Sequence, residues 1–446
     1  MNRIRRIAAA AVFLAFTSAA AAQSLTLRDA VDEALSRNSA IASADASRRI
    51  AAAREQEARA VRYPRVDVTE SATRGNNPVF VFGSLLEQGT FAARHFDPAF
   101  LNAPDALTNY RVAATARVVL FDALRTSTAI RQAHNGTERA AAEMEEARQQ
   151  VRAQAVTAYY AVVVAEKKRS VAQDAARAAE ADAKATRDRF EQGLLVESDA
   201  LAADVQLATF RQRVIAAEGE LAIARAALAT LLQRPWSDSI GIAGILPDMR
   251  IDPGTLDDAI GRAIARRAPP KIAASNTSDA QLGLSVTRAT ALPRVDAFGT
   301  FGASGGTFGN RNGDHTAGVV VTLELFDPGR PARLAAARAE IDAARAGEQT
   351  ARDRVTMEVI TAWHRLRAAE GMASVAEAAT GQAETAERIV RDRYAEGVVA
   401  ITEHLRAHTA LVAMRFDLLA ARYERVAAYA ELLRATGDLD DVQPFL

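Results

Sequence analysis

Arg189-Phe190-Glu191-Gln192-Gly193-Leu194-Leu195 returns as Arg393-Tyr394-Ala395-Glu396-Gly397-Val398-Val399, an offset of 393 − 189 = 204 residues. At the same offset Thr157-Ala158-Tyr159 returns as Thr361-Ala362-Trp363, and Ala165-Glu166 returns as Ala369-Glu370. Pro64-Arg65-Val66-Asp67 returns as Pro293-Arg294-Val295-Asp296 at 293 − 64 = 229. Leu120-Phe121-Asp122 returns as Leu325-Phe326-Asp327 at 325 − 120 = 205. A unit of about 200 residues is too long for a solenoid repeat and reads as two copies of one supersecondary block. The unequal offsets place an insertion in the first copy, between Asp67 and Leu120.

The pattern predicts repeat 1 over residues 23–232, a linker over 233–254 and repeat 2 over 255–446. Each copy begins with a short amphipathic helix, at Leu27 and at Leu256. Each continues to a proline, Pro64 or Pro293, that ends the following helix. Strands are expected at about 64–82 and 106–121 in repeat 1, and at about 293–302 and 315–326 in repeat 2. The insertion, residues 74–105, holds Phe80, Phe82, Phe91, Phe96 and Phe100 among Gly, Pro and Asn, and reads as a long loop.

Long helices follow, at about 123–191 and 198–232, then at about 330–396 and 402–434. Met144, Val151, Ala158, Ala165, Ala172 and Ala179 recur every seventh residue, and Val355, Ala362, Ala369, Ala376 and Ala383 repeat that register. A strict heptad implies coiled-coil packing. Gly193 and Gly397 end the first helix of each pair, so each copy closes as an antiparallel hairpin.

In the strands, Tyr110, Val112, Ala114, Ala116, Val118 and Leu120 alternate with Arg111, Ala113, Thr115 and Arg117. Ten-residue segments with one apolar face suit a membrane barrel. A soluble sheet with one wet face gives the same alternation, so the strands alone leave both readings open. Four strands cannot close a small membrane barrel, which starts at eight. A cyclic homo-oligomer would supply the rest.

Composition narrows the function classes. Lys+Arg and Asp+Glu are equal at 55 each, which gives no net field to attract nucleic acid. Cysteine is absent, which excludes disulfides, thiol catalysis, thiolate metal sites and a lipoprotein cleavage site. Arg3, Arg5 and Arg6, an apolar run from Ile7 to Phe16, and Ala20-Ala21-Ala22 form an expected signal peptide, residues 1–22. No Gly-x-Ser-x-Gly elbow, phosphate loop or dinucleotide fingerprint is present, so no enzyme is expected and no cofactor is implied. His404 and His408 share a helical face, but Leu405 stands where a zincin needs Glu; a surface face is expected there, with no metal.

The duplicated order runs short helix, Pro-Arg-Val-Asp strand, Leu-Phe-Asp, long helix, Arg-Phe/Tyr-x-x-Gly turn and returning helix. It resembles the TolC-type outer-membrane efflux protein family over essentially the whole chain beyond residue 22. The resemblance implies a mainly α fold with transmembrane β structure: a homotrimer with a twelve-strand outer-membrane barrel on an α-helical periplasmic tunnel. It implies an exit duct of a tripartite efflux or type I secretion system, partnered by a periplasmic adaptor and an inner-membrane transporter of RND, ABC or MFS type. Outer-membrane lipid would surround the barrel, and nucleic acid is not a partner.

Carried across from the family, Gly193 and Gly397 match the two turn glycines, and with Leu194 and Val398 they are candidates for adaptor contact. Asp199 matches the acidic gate residue, Ser198 the hydroxyl before it, and Tyr394 the tyrosine that bonds toward that acid in the closed tip. The family's latch arginine is Val399 here, and its two constriction aspartates fall at Glu403 and Arg406. A surface coiled-coil protein such as a trimeric adhesin would explain the heptads, but not the duplication or the strands before each hairpin. A periplasmic enzyme finds no supporting chemistry.

Overall fold

The computed structural model describes residues 24–237, 240–249 and 251–446; the expected signal peptide lies outside them. In repeat 1, helix α1 spans Leu27–Arg37, α2 Ser39–Ala60, strand β1 Arg65–Gly75, α3 Pro78–Glu87, α4 Pro98–Asn102, β2 Leu107–Phe121, α5 Arg125–Glu191 and α6 Glu197–Leu231. Repeat 2 holds α7 Leu256–Arg266, α8 Ala268–Ala289, β3 Arg294–Gly305, β4 Asn312–Thr322, α9 Arg330–Ala395 and α10 Ile401–Thr436. Equivalent helices start by the same device. The Thr26 hydroxyl accepts from the Asp29 amide at 3.2 Å, and the Thr255 hydroxyl accepts from the Asp258 amide at 3.2 Å. Each satisfies an otherwise unpaired first-turn donor.

The 67 residues of α5 span about 100 Å at 1.5 Å per residue. Its seam residues Val151, Ala165, Ala172 and Ala179 are buried, as are Val355, Ala362 and Ala369 in α9. A second row, Val359, Leu366, Ala373, Thr380 and Glu387, is buried between them in α9. Together the two rows make the alternating a and d positions of a coiled coil. The main core lies at the waist, where α1, the middle of α5 and the ends of α6 and α10 meet. There Tyr159 donates to the Leu25 carbonyl at 3.2 Å and Tyr160 to the Phe445 carbonyl at 2.6 Å. The segment between the repeats is packed into the same core: Leu25 pairs with Ile242, and Ile240 is buried.

The four strands form one antiparallel sheet in the order β1-β2-β3-β4. Val66, Ala116, Gly299 and Ala317 stand in one row across it, and Val68, Ala114, Phe301 and His315 in another. These rows share a face that the described residues leave open: Val68 is 71% exposed, Phe301 72% and Val321 63%. A water-soluble sheet buries its apolar face, so this one is built to meet lipid. The opposite face carries Asp67, Thr115, Thr300 and Thr316 in register. Both β1 and β4 are edges, so a barrel closes only with strands from other copies.

Several expected boundaries change. The strand expected over 64–82 ends at Gly75, because Asn77 caps a helix by accepting from the Val79 and Phe80 amides, with Pro78 at its first position. The insertion is therefore not a long loop. It is α3, a 3-10 turn Ala93–Phe96, and α4 capped by Asp97. The strand expected over 315–326 runs instead from Asn312 to Thr322, because its partner β3 begins at Arg294, opposite Thr322. The helix expected from residue 123 starts at Arg125, since Ala123 and Leu124 hold left-handed backbone with φ of 55° and 69°.

Candidate gating site at the hairpin tips

Both hairpins turn the same way. Gly193 (φ +72°) donates to the Phe190 carbonyl at 2.8 Å, and Leu194 donates to Arg189 at 2.9 Å. Gly397 (φ +75°) donates to Tyr394 at 3.0 Å, and Val398 to Arg393 at 2.8 Å. These paired bonds satisfy the last carbonyls of α5 and α9, and only glycine adopts that left-handed turn without cost. Leu194 and Val398, apolar and at equivalent positions, protrude at 69% and 67% exposure.

Asp199 and Glu403 are also equivalent, 403 − 199 = 204 residues apart. Each lies in the first turn of the returning helix, its amide bonded to Val196 or Ala400. A carboxylate there complements the positive helix end, so both residues have a structural reason to be acidic. Asp199 is half-exposed, while Ser198, Glu403 and Arg406 are exposed.

The Tyr394 hydroxyl accepts from Arg189 at 3.3 Å, and that guanidinium lies 5.4 Å from the ring centre. Among the described residues of one chain, no hydrogen bond joins Tyr394 to Asp199. The Tyr394 ring also stacks on His404, with ring centres 5.2 Å apart and planes 2° from parallel. His404 in turn places Nε2 3.2 Å from Asp182 Oδ2 on α5. A tip core of Ala183, Ala203, Ile401 and Leu405 lies beside them, and Gln206 donates to the Leu405 carbonyl at 3.4 Å. The two hairpins of one chain are thus fastened to each other by Arg189–Tyr394, Asp182–His404 and Gln206–Leu405.

The expected surface face at His404 and His408 is corrected: His404 is buried and His408 largely so. They extend the stripe Ile401, Leu405, Leu411, Val412, which is buried against the first hairpin. That stripe is visible in the sequence as apolar residues at helical spacing on the same face as the two histidines. The His408 ring meets Phe210 edge-on at 5.5 Å, and burial pushes its pKa below the usual histidine value. Asp182, Arg189 and Gln206 belong to the same arrangement; Arg189 opens the repeated turn motif, whereas Asp182 and Gln206 carry no sequence signal of their own.

An exposed apolar strand face with free edges, set on two helical hairpins whose longer helices run about 100 Å, defines a membrane-embedded duct with a long extramembrane stem. The chain belongs to the outer membrane efflux protein family, whose model matches residues 30–233 and 259–438, one stretch in each repeat. It is 30% identical over 342 residues to Protein CyaE of Bordetella pertussis, covering 75% of this chain and 72% of that one. Its fold matches the outer membrane protein VceC of Vibrio cholerae with a TM-score of 0.74, at 18% identity over 92% of this chain and 96% of that one. It also matches the CmeC outer membrane channel of Campylobacter jejuni with a TM-score of 0.77, at 16% identity over 93% and 87% of the two chains. The protein is an outer-membrane exit duct for efflux or secretion. The family and the structural neighbours are outer-membrane channels rather than enzymes.

Proposed function

We propose that three copies close a twelve-strand barrel and a continuous helical tunnel, and that the hairpin tips form its periplasmic gate. The observation that carries this reading is the four-strand sheet with a lipid-facing side and two open edges above paired hairpins. Export by the Sec route with removal of residues 1–22, and no lipid anchor in this cysteine-free chain, belong to the same reading. The protruding Leu194 and Val398, beside Gly193 and Gly397, offer a small apolar contact to a periplasmic adaptor, which joins the duct to an RND, ABC or MFS transporter.

At rest, Asp182–His404 and Arg189–Tyr394 hold the second hairpin against the first. Opening swings the hairpins apart and breaks these contacts. Asp199 and Glu403, repeated three times, give six carboxylates at the mouth, and three Arg406 offset half of that charge. Ser198 adds a hydroxyl beside each Asp199.

The oligomer is tested by detergent extraction after a high-salt wash of outer membranes. A membrane-retained species of three chain masses is expected; a monomer released by osmotic shock would contradict the reading. The gate is tested by resting conductance, which rises in His404→Ala and, to a smaller extent, in Tyr394→Phe, where the ring stack survives. Unchanged conductance in both would remove the gate assignment. Cation preference falls in Glu403→Gln and rises in Arg406→Gln if these residues line the mouth.

A further inference from the structure

The insertion peculiar to repeat 1 is anchored to one side of the sheet. Asn109 donates to Glu87 Oε2 at 3.1 Å, and the Ser304 hydroxyl donates to the same oxygen at 3.3 Å. Gln88 donates to Asn109 Oδ1 at 3.0 Å and to the Thr108 carbonyl at 2.9 Å. Asn312 donates to the Glu87 carbonyl at 3.0 Å, and Arg111 lies 3.7 Å from the Glu87 carboxylate. Asn109, Arg111, Ser304 and Asn312 all have the parity of Thr115 and Thr300, which is the polar face, opposite Val68 and Phe301. Asn109 and Ser304 are buried because the end of α3 lies over them. All four residues sit at the end of the sheet away from α2 and α5, where β1 runs out at Gly75 and β2 begins at Leu107.

The segment is a compact body. Phe91 packs edge-on against Phe82 at 4.9 Å and Phe96 at 5.0 Å, His95 packs on Phe100 at 5.0 Å, and Val81 is buried. Repeat 2 has no counterpart; β3 and β4 are joined by a short turn. Its footing is held by Arg111, which crosses β3 to make two hydrogen bonds to Asp314, of 2.8 and 2.9 Å. Gly302 beneath it has no room for a side chain: a Cβ there would meet the guanidinium at 2.7 Å.

We propose that residues 76–105 form an inward-folded plug, fastened by Glu87 and Gln88 to the polar wall, that narrows the outer exit of the duct and sets the size of solute able to pass. In a closed barrel the apolar face meets lipid and the polar face meets the lumen, so a body seated on the polar face stands in the pore. The proposal rests on the duct reading.

The test uses the full chain in planar bilayers, with polyethylene glycols of graded size added separately to each side. Two variants are compared with wild type: Glu87→Ala/Gln88→Ala, which leaves the plug's aromatic core intact, and replacement of residues 78–103 by a short glycine linker. Both are expected to admit, from the outer side, polymers that wild type excludes, while the limit from the tip side stays the same. A wild-type outer limit in the folded double variant would overturn the role of Glu87 and Gln88. The same limit in the replacement would overturn the plug itself. A wild-type chain that inserts but forms no channel would overturn the duct reading and the plug with it.

Discussion

Arg267, only 3% exposed, shows how single side chains bind the two repeats together. It donates to Glu146 of α5 at 3.0 and 2.7 Å, to Glu358 of α9 at 3.1 Å and to the Ala435 carbonyl of α10 at 2.9 Å. Arg434 is the next cation, 3.6 Å from Glu146 and 3.8 Å from Glu358. Removing one partner of a buried ion network leaves charge uncompensated, at a cost of about 3–5 kcal/mol. Arg267→Met is therefore expected to lower stability by that amount in denaturant unfolding, and a loss below about 1 kcal/mol would show that Arg434 suffices. His408 carries a pH dependence. Burial is the main cause of its lowered pKa, with His404 and Arg415 adding to it and Asp182 and Glu387 opposing it. The unfolded chain then takes up a proton at a pH where the native state does not. Stability is present above the usual histidine pKa and is lost as pH falls toward the depressed one. His408→Gln should flatten that slope below the usual histidine pKa of about 6.5 in thermal unfolding. An unaltered slope would place the acid sensitivity elsewhere.

At the scale of elements, the two turns carry a clean backbone prediction. A Cβ at Gly193 or Gly397 would meet nothing within 4 Å, so Ala there costs only the left-handed conformation. That is about 1–2 kcal/mol per site, seen as a lower midpoint in denaturant unfolding, with Asn costing less. A neutral result would mean that the turn has room to change its backbone. The hairpins, their turns and the heptad seam are legible in sequence because each is a local rule repeated: a period of seven, a glycine after Arg-Phe or Arg-Tyr. Where elements end is less legible. β4 stops at Thr322 because β3 supplies no partner beyond Arg294, a fact of pairing rather than of residues 323–326. The insertion's helices are only ten and five residues long, too short for a periodicity to stand out among its Phe, Gly and Pro. The cap signals Asn77-Pro78 and Asp97-Pro98 are nonetheless present. At the tip, Gly193, Gly397 and Tyr394 were readable from the repeat. The contacts of Tyr394 with Arg189 and His404, and of His404 with Asp182, are not, since these residues come together only when the hairpins pack.

The whole molecule resolves the ambiguity that the strands leave open. One alternating pattern fits both a soluble sheet and a lipid-facing one, and only the uncovered face around Val68 and Phe301 separates them. With both edges of the sheet unpaired among the described residues, the chain is one share of a larger closed structure. Its two ends then differ in kind: a polar-walled barrel holding the α3–α4 segment at one, and glycine-turned hairpins fastened by Asp182–His404 at the other. Single-channel recording of the purified oligomer in a planar bilayer tests the duct most directly. Small, long-lived conductance steps that grow in His404→Ala are predicted. A folded, membrane-inserted oligomer that passes no current, in wild type and in His404→Ala alike, would contradict the account.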